Sequence, residues 1–578
     1  MGNSILKKTE AISIVLCGEA GHGIQTVEQI LTRLLKLSGF HIFATKEYMS
    51  RVRGGSNSTE IRVSSERVSS LLNRIDILIP FDHAALKHVK KRISNETVIL
   101  ADREIIADKE NNNDLNWIDV PFSRIASEIG GTIYTNILSA GIIAGLLKVG
   151  VDDLDHYIEQ FFSPGDKNTI GKNRNAAKKG YEIAQELINS GKIKIDVARN
   201  AGVTEEIIIN GAEAVGIGAI AGGCNFISSY PMSPSTAVLT FLSRNARDFN
   251  LISEQAEDEI SAINMALGAW YAGGRAMVTT SGGGFALMEE AVGLAGMIES
   301  PIVIHLAQRP GPATGLPTRT EQGDLQLALY SGHGEFPKII FAPGKLEDAV
   351  YLTHQAFNLA DKYQIPVFIL TDQYFMDSYY NLPSLNLSET RITQYIAKTD
   401  QDYKRYRLSK DGISPRGIPG YGEGLVLADS DEHDEEGHIT EDLDLRIEMV
   451  NKRLAKLRGI TEEAIPPELV GREDYRTLVI GWGSTFHVIC EALDNLERTD
   501  VAFLHFKQVY PVHPDTLEYL KKAEHTIMIE GNATCQFGRL VKITTGFDIN
   551  DKILKYNGIQ FTVEEVGEQI KAILGREE

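Results

Sequence analysis

Cysteine is scarce in this sequence, with 4 residues in 578. Cys17, Cys224, Cys490 and Cys535 are widely scattered, and no two of them have C-x-x-C spacing. This excludes a recognisable disulfide framework, and it gives no zinc or iron–sulfur motif. We therefore expect reduced, mostly buried thiols and no metal site in this chain.

Long hydrophobic runs are also lacking. The longest apolar stretch, residues 137–151, is interrupted by Ser139 and Lys148 and is too short to cross a bilayer. It predicts a buried helix and no membrane role. The N-terminal residues lack the apolar core and cleavage site of a secretory signal, so we expect a cytoplasmic protein.

Basic residues are outnumbered, with 58 Lys and Arg against 78 Asp and Glu, which gives a net charge of −20. Such a surface repels phosphate backbones and argues against nucleic acid as a partner. The length and a hydrophobic content of 43% allow three or four separate cores. The sequence therefore predicts a multidomain protein.

Short β-branched runs alternate with helix-period segments, which predicts α/β domains built on parallel sheets. We place the first domain at residues 1–195 and the second at 196–387. The second has a set of buried-strand candidates, at residues 277–280, 302–306, 338–341 and 367–371.

The pattern is lost between residues 388 and 470, where the string DSDEHDEEGHITEDLD is acidic and rich in turn formers. We predict an irregular acidic connecting segment on the surface. The α/β rhythm returns in a third domain, residues 471–578.

A glycine-rich turn lies near the N-terminus, where VLCGEAGHGIQT places Gly18, Gly21 and Gly23 between a strand and a helix. Glycine there lets backbone N–H groups approach a phosphate, although a plain tight turn explains the pattern equally well. Arg51 and Arg53, in KEYMSRVRGG, could lie near the same sheet edge or in a solvated loop.

The second domain contains a turn, YPMSP, that presents Tyr230 and Ser233. Pro231 and Pro234 restrict the backbone around Ser233 and would hold its hydroxyl on a stiff loop. Taken alone, the string is also typical of an ordinary turn.

A cluster of carboxylates, Glu254, Glu257, Asp258 and Glu259, precedes a helix of small apolar residues. Acids in a first helical turn commonly do no more than complement the helix dipole. Here a buried strand, MVTT, follows the helix and ends in a glycine turn at residues 281–284, which suggests a site.

Three long strings carry a family resemblance: YPMSP, EQAEDEISAINMALGAWYAGGRAMVTTSGGG and AQRPGPATGLPTRTEQGDL. They resemble the pyrimidine-binding domain of 2-oxoacid:ferredoxin oxidoreductases. The N-terminal domain, with GEAGHGIQT and SRVRGG, resembles that family's γ domain, and the C-terminal region resembles its transketolase C-terminal-like domain. The resemblance covers nearly the whole chain and implies an α-type subunit with a fused γ domain.

The resemblance also implies an activity. The family decarboxylates a 2-oxoacid oxidatively in the presence of CoA, forms acyl-CoA and CO2, and reduces ferredoxin; the reverse carboxylation stays open. In this family a carboxylate hydrogen-bonds N1′ of thiamine diphosphate, and Glu257 matches it. Tyr230 and Pro231 match the cofactor-contacting turn.

Substrate contacts follow from the same resemblance. Ser233 stands where the family's Y-P-I-T-P turn has threonine, so the hydroxyl is kept. Arg309 matches the arginine that binds the substrate carboxylate, with Arg319 as the rival. The alternative for either arginine is a surface ion pair.

Partners are implied by what the chain does not contain. It has no cysteine arrangement for an iron–sulfur cluster and no G-D-G…N motif for diphosphate and Mg²⁺, so both are expected in a separate β subunit, in an (αβ)2 assembly. For CoA, the expected contacts in the γ-like domain are Gly21, Gly23, Arg51 and Arg53.

Alternatives remain at this stage. Another thiamine-dependent enzyme, such as a transketolase or an acetolactate-type carboligase, would lack the γ-like domain, and a non-enzymatic scaffold would leave YPMSP and TEQGDL unexplained. The fused layout and GPATGLPTRTEQGDL favour 2-oxoglutarate as the substrate over pyruvate and branched-chain 2-oxoacids.

Overall fold

The computed structural model describes residues 6–19, 23–49, 55–106, 115–163 and 165–575. The strands are β1 Leu6–Lys8, β2 Ala11–Glu19, β3 His41–Glu47, β4 Ser56–Ser64, β5 Ile77–Pro80, β6 Val98–Ala101, β7 Asn116–Asp119, β8 Ile193–Ile195, β9 Ile207–Asn210, β10 Phe226–Ser229, β11 Ile252–Gln255, β12 Ala276–Thr280, β13 Ile302–Gln308, β14 Ile339–Phe341, β15 Pro366–Asp372, β16 Tyr379–Leu382, β17 Glu468–Val470, β18 Thr477–Trp482, β19 Val501–Phe506, β20 Gln508–Tyr510, β21 His525–Glu530 and β22 Asp551–Leu554.

The α-helices are distributed among these strands along the chain, and one helix follows the last strand. They are α1 Ile24–Leu37, α2 His83–His88, α3 Arg103–Ile106, α4 Phe122–Ile129, α5 Thr135–Leu146, α6 Val151–Phe161, α7 Lys167–Asn189, α8 Gly211–Ala221, α9 Thr236–Asn245, α10 Glu259–Tyr271, α11 Gly282–Met297, α12 Leu325–Leu329, α13 Leu346–Tyr363, α14 Gln373–Asp377, α15 Leu443–Glu462, α16 Phe486–Asp494, α17 Thr516–Lys522, α18 Gln536–Thr545 and α19 Val563–Leu574.

Two compact units are formed. The first contains the described residues of Met1–Ile209, Asp377–Leu385 and Thr562–Glu564. Its main sheet has eight strands in the order β7-β6-β5-β2-β4-β3-β16-β9. The central strand β2 is apolar without alternation because both of its faces are covered. Leu16 lies in one buried cluster and Val15 in another.

The first sheet differs from the parallel sheet that the sequence predicts. β4 pairs antiparallel with both β2 and β3. The connection between β3 and β4 is too short for the helical crossover that parallel strands require. The other half of the sheet, where β2, β5, β6 and β7 pair in parallel, agrees with the prediction.

The buried helix predicted within residues 137–151 is confirmed as α5, although it ends at Leu146 and Val151 begins α6. Helix α5 packs against α7 so closely that Gly141 lies on the backbone of Ala177, and Gly180 lies on the backbone of Leu138. A side chain at either glycine would force the two helices apart. Among the described residues no single helix has the length and hydropathy to cross a membrane, although the bent pair Phe122–Ile129 and Thr132–Leu146 meets those two criteria together.

The second unit holds the remaining described residues and two further sheets. A seven-stranded sheet has the order β11-β10-β12-β13-β15-β14-β20, and a five-stranded sheet has the order β17-β19-β18-β21-β22. The strand predictions at residues 277–280, 302–306, 338–341 and 367–371 correspond to β12, β13, β14 and β15, so they are confirmed. The boundaries predicted between domains stay predictions.

The acidic segment is more ordered than the irregular surface excursion that the sequence predicts. Its last part forms the 20-residue helix α15. Tyr406 and His433 are fully buried, and so are Lys452 and Lys456 on α15. The prediction was wrong here because it took ordered structure to require an apolar core, whereas buried charges hold most of this segment in place.

One of these charges is Glu299, which follows α11. Lys452 Nζ and Lys456 Nζ each lie 2.6 Å from its carboxylate, and all three side chains are 1% exposed. Burial by itself raises the pKa of Glu299, but the ammonium groups of Lys456 and Lys452 and the guanidinium of Arg405 hold it well below its ordinary value. The ion cluster therefore fixes α15 against the chain segment that follows α11.

A second buried carboxylate anchors the start of the segment. Asp361 on α13 is fully buried and pairs with Arg275 at 3.0 Å and with Arg416 at 2.6 Å. Both guanidinium groups also lie over the ring of Trp270. The loop that carries Arg416 is therefore held by hydrogen bonds, charge and stacking together.

We predict that Glu299→Gln lowers the urea midpoint of unfolding, because two ammonium groups stay buried without their counter-charge. Removing one partner of a buried pair costs about 3–5 kcal/mol. Because the pKa of Glu299 lies below its unfolded value of 4.5, the cluster stabilises the fold above that pH and loses its effect as the pH falls.

Asp474→Asn is the control for this variant, because Asp474 pairs with Arg472 on the surface and should leave the midpoint unchanged. Circular dichroism during urea titration measures both. Equal midpoints for the two variants would contradict the role given to Glu299.

Candidate active site

The YPMSP turn follows β10 and is partly buried. Ser235 is shielded from solvent, Ser233 and Pro231 are half-buried, and Tyr230 is 41% exposed. The backbone carbonyl of Ser233 accepts a hydrogen bond of 2.8 Å from Arg309 Nη1. The structure thus brings together two residues that are far apart in the sequence and that were predicted to contact substrate.

Arg309 follows the last residue of β13 and is half-buried. Its Nε is shielded from solvent and has no hydrogen-bond partner among the described residues. Burial lowers the pKa of Arg309, and the nearby Asp324 carboxylate opposes that shift. Arg319, the predicted rival, lies further along the same loop, where its side chain packs beside Gly558.

The four neighbouring acids have different environments. Glu254 and Glu257 are exposed, and Asp258 caps α10 by accepting a hydrogen bond of 2.8 Å from the N–H of Ser261. Glu259, the first residue of α10, is 3% exposed, and its Oε1 has no hydrogen-bond partner among the described residues. Burial, followed by the Asp258 charge, raises the pKa of Glu259. Of the four acids, Glu259 is therefore the buried one with an unpaired carboxylate oxygen, whereas the predicted Glu257 is exposed.

The first turn of α11 consists of three glycines. A Cβ on Gly284 would lie 2.5 Å from Oε1 of Glu259, and a Cβ on Gly282 would lie 2.5 Å from both carboxylate oxygens of Asp324. Two carboxylates thus pack against one glycine turn. No larger residue at these two positions could accommodate them without moving one.

Strands beneath the site are joined by a buried histidine. His305 on β13 lies between the hydroxyls of Thr279 on β12, at 2.7 Å, and Thr371 on β15, at 2.9 Å. Burial lowers the pKa of His305 to about 3, which keeps the ring neutral. The three strands that lead into the site are therefore fixed side by side by hydrogen bonds as well as by the backbone ladder.

The first unit has a pocket of about 320 Å³ at the start of α1, lined by residues that include Gly23, Thr26 and Lys46. Gly23 has φ of 68°, and no side chain caps the helix N-terminus that follows it. Lys46 lies 3.1 Å from Asp377 and 4.0 Å from Glu28. The predicted residues Gly21, Arg51 and Arg53 lie outside the described residues.

Comparisons with known proteins decide the family. A family model for pyruvate flavodoxin/ferredoxin oxidoreductase, thiamine diphosphate binding, matches residues 217–452, and one for pyruvate ferredoxin/flavodoxin oxidoreductase matches residues 13–183. The 2-oxoacid:ferredoxin oxidoreductase subunit alpha of a Sulfolobus species is 31% identical over 97% of both chains. This chain belongs to the 2-oxoacid:ferredoxin oxidoreductase family.

Within that family the chain is an alpha subunit, which confirms the predicted enzyme class. The 2-oxoglutarate oxidoreductase subunit KorA of Mycobacterium tuberculosis is 26% identical over 98% of this chain and 92% of its own length. A solved 2-oxoglutarate:ferredoxin oxidoreductase from Magnetococcus marinus, with 2-oxoglutarate, coenzyme A and succinyl-CoA bound, is 29% identical with a TM-score of 0.90. It covers 98% of this chain and 100% of its own, so the predicted α/β fold is also confirmed.

The cysteines of this alpha subunit are all free. Burial raises the pKa of Cys224, Cys490 and Cys535 to about 12 and also raises that of Cys17, so all four are inert thiols at neutral pH. Asp434, Glu436 and His438 place possible ligand atoms within 4.8 Å of one another, on a turn of the acidic segment where the last two residues are exposed.

Sequence reasoning missed two features of the site. In the sequence, Glu259 resembles an acid that only complements the helix dipole, and Asp324 in TEQGDL belongs to no recognisable motif. The signal available was the glycine turn, because adjacent glycines after a buried strand indicate that other groups occupy the space beside them. The sequence does not identify which groups those are.

We predict that Gly284→Ala reduces turnover of the enzyme by up to about a hundredfold, because the new Cβ would collide with Thr280 Oγ1 and Glu259 Oε1 and displace the Glu259 carboxylate by up to ~1 Å. Gly283→Ala is the matched control, since a Cβ there would be 3.4 Å from its nearest neighbour, the carbonyl oxygen of Ala313. Viologen reduction measures turnover, and circular dichroism checks the fold. Similar losses of turnover in Gly284→Ala and Gly283→Ala would refute the role given to the packing of Glu259 against Gly284.

Proposed function

We propose that this alpha subunit acts on 2-oxoglutarate and contributes to its CoA-dependent oxidative decarboxylation, with ferredoxin as the electron acceptor. The observation that carries the proposal is the half-buried Arg309, which is held against Ser233 and keeps N–H donors for a substrate carboxylate. The names of the Mycobacterium and Magnetococcus proteins support 2-oxoglutarate. Pyruvate and branched-chain 2-oxoacids are the alternatives.

We place the thiamine contact on Glu259 in preference to Glu257. A carboxylate that binds N1′ of an aminopyrimidine needs a dry environment and a free oxygen, and Glu259 has both. When bound, thiamine diphosphate supplies a nucleophilic carbon and an electron sink for decarboxylation. Glu259 would hold the proton at N1′, and its raised pKa suits a group that shares a proton.

The YPMSP turn would complete the substrate side. Its main-chain carbonyl at Ser233 orients the Arg309 guanidinium, whose remaining N–H groups suit bidentate binding of a carboxylate. The Ser233 hydroxyl would contact the substrate, and Tyr230 and Pro231 would contact the cofactor. The half-buried state of the turn supports this, because it leaves one side of the loop accessible.

A β subunit would cover this site and carry the diphosphate, Mg²⁺ and a [4Fe–4S] cluster, in an (αβ)2 assembly. Ile260 on α10 is 50% exposed and Leu287 on α11 is 52% exposed, and both lie within one turn of the residues that form the site. A partner that covers the site would also bury these two apolar side chains, which favours association. The wide separation of the four cysteines along the chain supports placing the cluster in the partner.

CoA would use the pocket of the first unit. The helix N-terminus after Gly23 offers N–H groups to a phosphate, and Lys46 adds a positive charge. Burial opposes the charge of Lys46, but Asp377 and Glu28 raise its pKa, so it stays protonated. The contacts expected for Gly21, Arg51 and Arg53 stay predictions.

Substrate preference is tested with the enzyme purified together with its partner subunit. We expect kcat/KM for viologen reduction with CoA to be highest for 2-oxoglutarate among 2-oxoglutarate, pyruvate and 2-oxoisovalerate. The chain purified alone should show no turnover. A higher kcat/KM for pyruvate would reject the proposed substrate but not the family.

We predict that Glu259→Gln slows C2-proton exchange of bound thiamine diphosphate by about 10²–10⁴-fold, because an amide cannot hold the N1′ proton as a carboxylate does. Glu257→Gln should exchange at nearly the normal rate, since its side chain is exposed. Nuclear magnetic resonance after acid quench measures the exchange. The reverse pattern would restore the role to Glu257.

Arg309→Ala should raise KM for every 2-oxoacid by the equivalent of about 1.5–3 kcal/mol, because it removes a charge-assisted hydrogen bond to the carboxylate. KM for CoA should stay the same. Arg319→Ala provides the comparison, and steady-state kinetics measure both. If only Arg319→Ala raised the 2-oxoacid KM, the two arginines would exchange roles.

A further inference from the structure

The loop of residues 310–324 lies against the glycine turn at the start of α11. Near its beginning, the carbonyl oxygen of Ala313 would be 3.4 Å from a Cβ on Gly283. At its end, both carboxylate oxygens of Asp324 would be 2.5 Å from a Cβ on Gly282. The same turn packs against the carboxylate that we propose as the thiamine contact. The position of this loop therefore determines part of the shape of the candidate site.

Gln308 closes the loop at its base. This residue ends β13, is 1% exposed and immediately precedes Arg309. Its side chain accepts a hydrogen bond of 2.9 Å from the backbone N–H of Asp324 and donates one of 3.1 Å to the carbonyl of Thr371 on β15. A single buried amide thus fixes the end of the loop beside its beginning, where Arg309 lies.

Gln322 joins the loop to the five-stranded sheet. It is 3% exposed, and its side chain accepts a hydrogen bond of 2.8 Å from the N–H of Gly531 and donates one of 2.9 Å to the carbonyl of Trp482. Its backbone N–H donates a third hydrogen bond, of 2.7 Å, to the carbonyl of Gly531. Trp482 ends β18 and Gly531 follows β21, two strands that pair in parallel. Three hydrogen bonds therefore hold one loop residue at the carboxyl ends of two neighbouring strands.

Gln536, the first residue of α18, holds the end of the loop a second time. Its side-chain amide donates a hydrogen bond of 2.7 Å to the carbonyl of Gly323, and its side-chain oxygen accepts one of 2.9 Å from the N–H of Gln326. We call Gln322 and Gln536 the glutamine clamp. Both side chains are neutral and use a donor and an acceptor together, so the clamp fixes the loop without the help of charge.

We propose that the glutamine clamp positions Arg309 for the 2-oxoacid, so that Gln322 and Gln536 are positioning residues. The clamp holds the end of the loop, Asp324 transmits this constraint to Gln308 through its backbone N–H, and Gln308 is the residue that precedes Arg309. Without the clamp, the loop would leave this position for part of the time, and the apparent affinity for substrate would fall in proportion. This inference rests on the proposed role of Arg309 in binding the substrate carboxylate.

The test replaces each clamp residue by Met, which keeps the length of the side chain and removes its amide. In the enzyme purified together with its partner subunit, Gln322→Met and Gln536→Met should each raise KM for 2-oxoglutarate by up to about tenfold and leave kcat and KM for CoA nearly unchanged. Viologen reduction measures all three parameters. A substitution that merely damages the fold would lower kcat through loss of active enzyme and keep the wild-type KM. A wild-type KM for 2-oxoglutarate in both variants would overturn the proposal.

Gln326→Met is the matched control, because Gln326 is a neighbouring glutamine whose bond to the clamp comes from its backbone N–H and survives the substitution. KM for 2-oxoglutarate should stay at the wild-type value in this variant. An increase equal to that of the clamp variants would contradict the role given to the two clamp side chains. Gln536 is half-buried, so Gln536→Met carries the test if the variant of the fully buried Gln322 does not assemble.

A double-mutant cycle tests the route through Arg309. In the Arg309→Ala background, Gln536→Met should raise KM for 2-oxoglutarate no further, because the group that the clamp positions is absent. Increases in KM that multiply in the double variant would show that the clamp acts elsewhere and would reject the proposal. Arg309→Ala also separates this inference from the proposed function. An unchanged KM in that variant refutes the substrate role of Arg309 and with it this inference, whereas a raised KM beside wild-type KM in both clamp variants refutes this inference alone.

Discussion

The absence of side chains on the first turn of α11 is the constraint on which the candidate site depends. Glu259 and Asp324 occupy the volume that Cβ atoms on Gly284 and Gly282 would fill. Because the turn is bare, two carboxylates can be buried against it without a hydrogen-bond donor for Oε1 of one or Oδ2 of the other. Burial is the main cause of the raised pKa values of these two carboxylates.

Buried charge also organises the second unit away from the site. Glu299 and Asp361 each accept two basic side chains, and these carboxylates hold a long stretch of chain that has too few apolar residues to form a core of its own. Such clusters contribute little net stability compared with apolar packing, but each partner is costly to remove. The main effect of these ion clusters is therefore to fix the position of the acidic segment. Their contribution to the free energy of folding is smaller.

Family membership and structure answer different questions about this alpha subunit. The match over nearly the whole chain gives the reaction class, and the resemblance points to Glu257 within a cluster of four acids. Burial separates them: one acid caps the helix, two are exposed, and Glu259 is enclosed with a free oxygen. On this ground we propose Glu259, which is buried and has an unpaired oxygen, as the thiamine contact.

The sequence by itself determined the α/β class, the strands β12 to β15 and the buried helix α5, because these depend on local periodicity and on continuous apolar runs. It also determined the family, through long strings around the glycine turn. Only the tertiary structure decided that Glu259 is buried while Glu257 is exposed, that Asp324 packs against Gly282, and that α15 is held by Glu299. Those facts depend on contacts between residues far apart in the chain, and an acid looks the same in the sequence whether water or a buried lysine lies beside it.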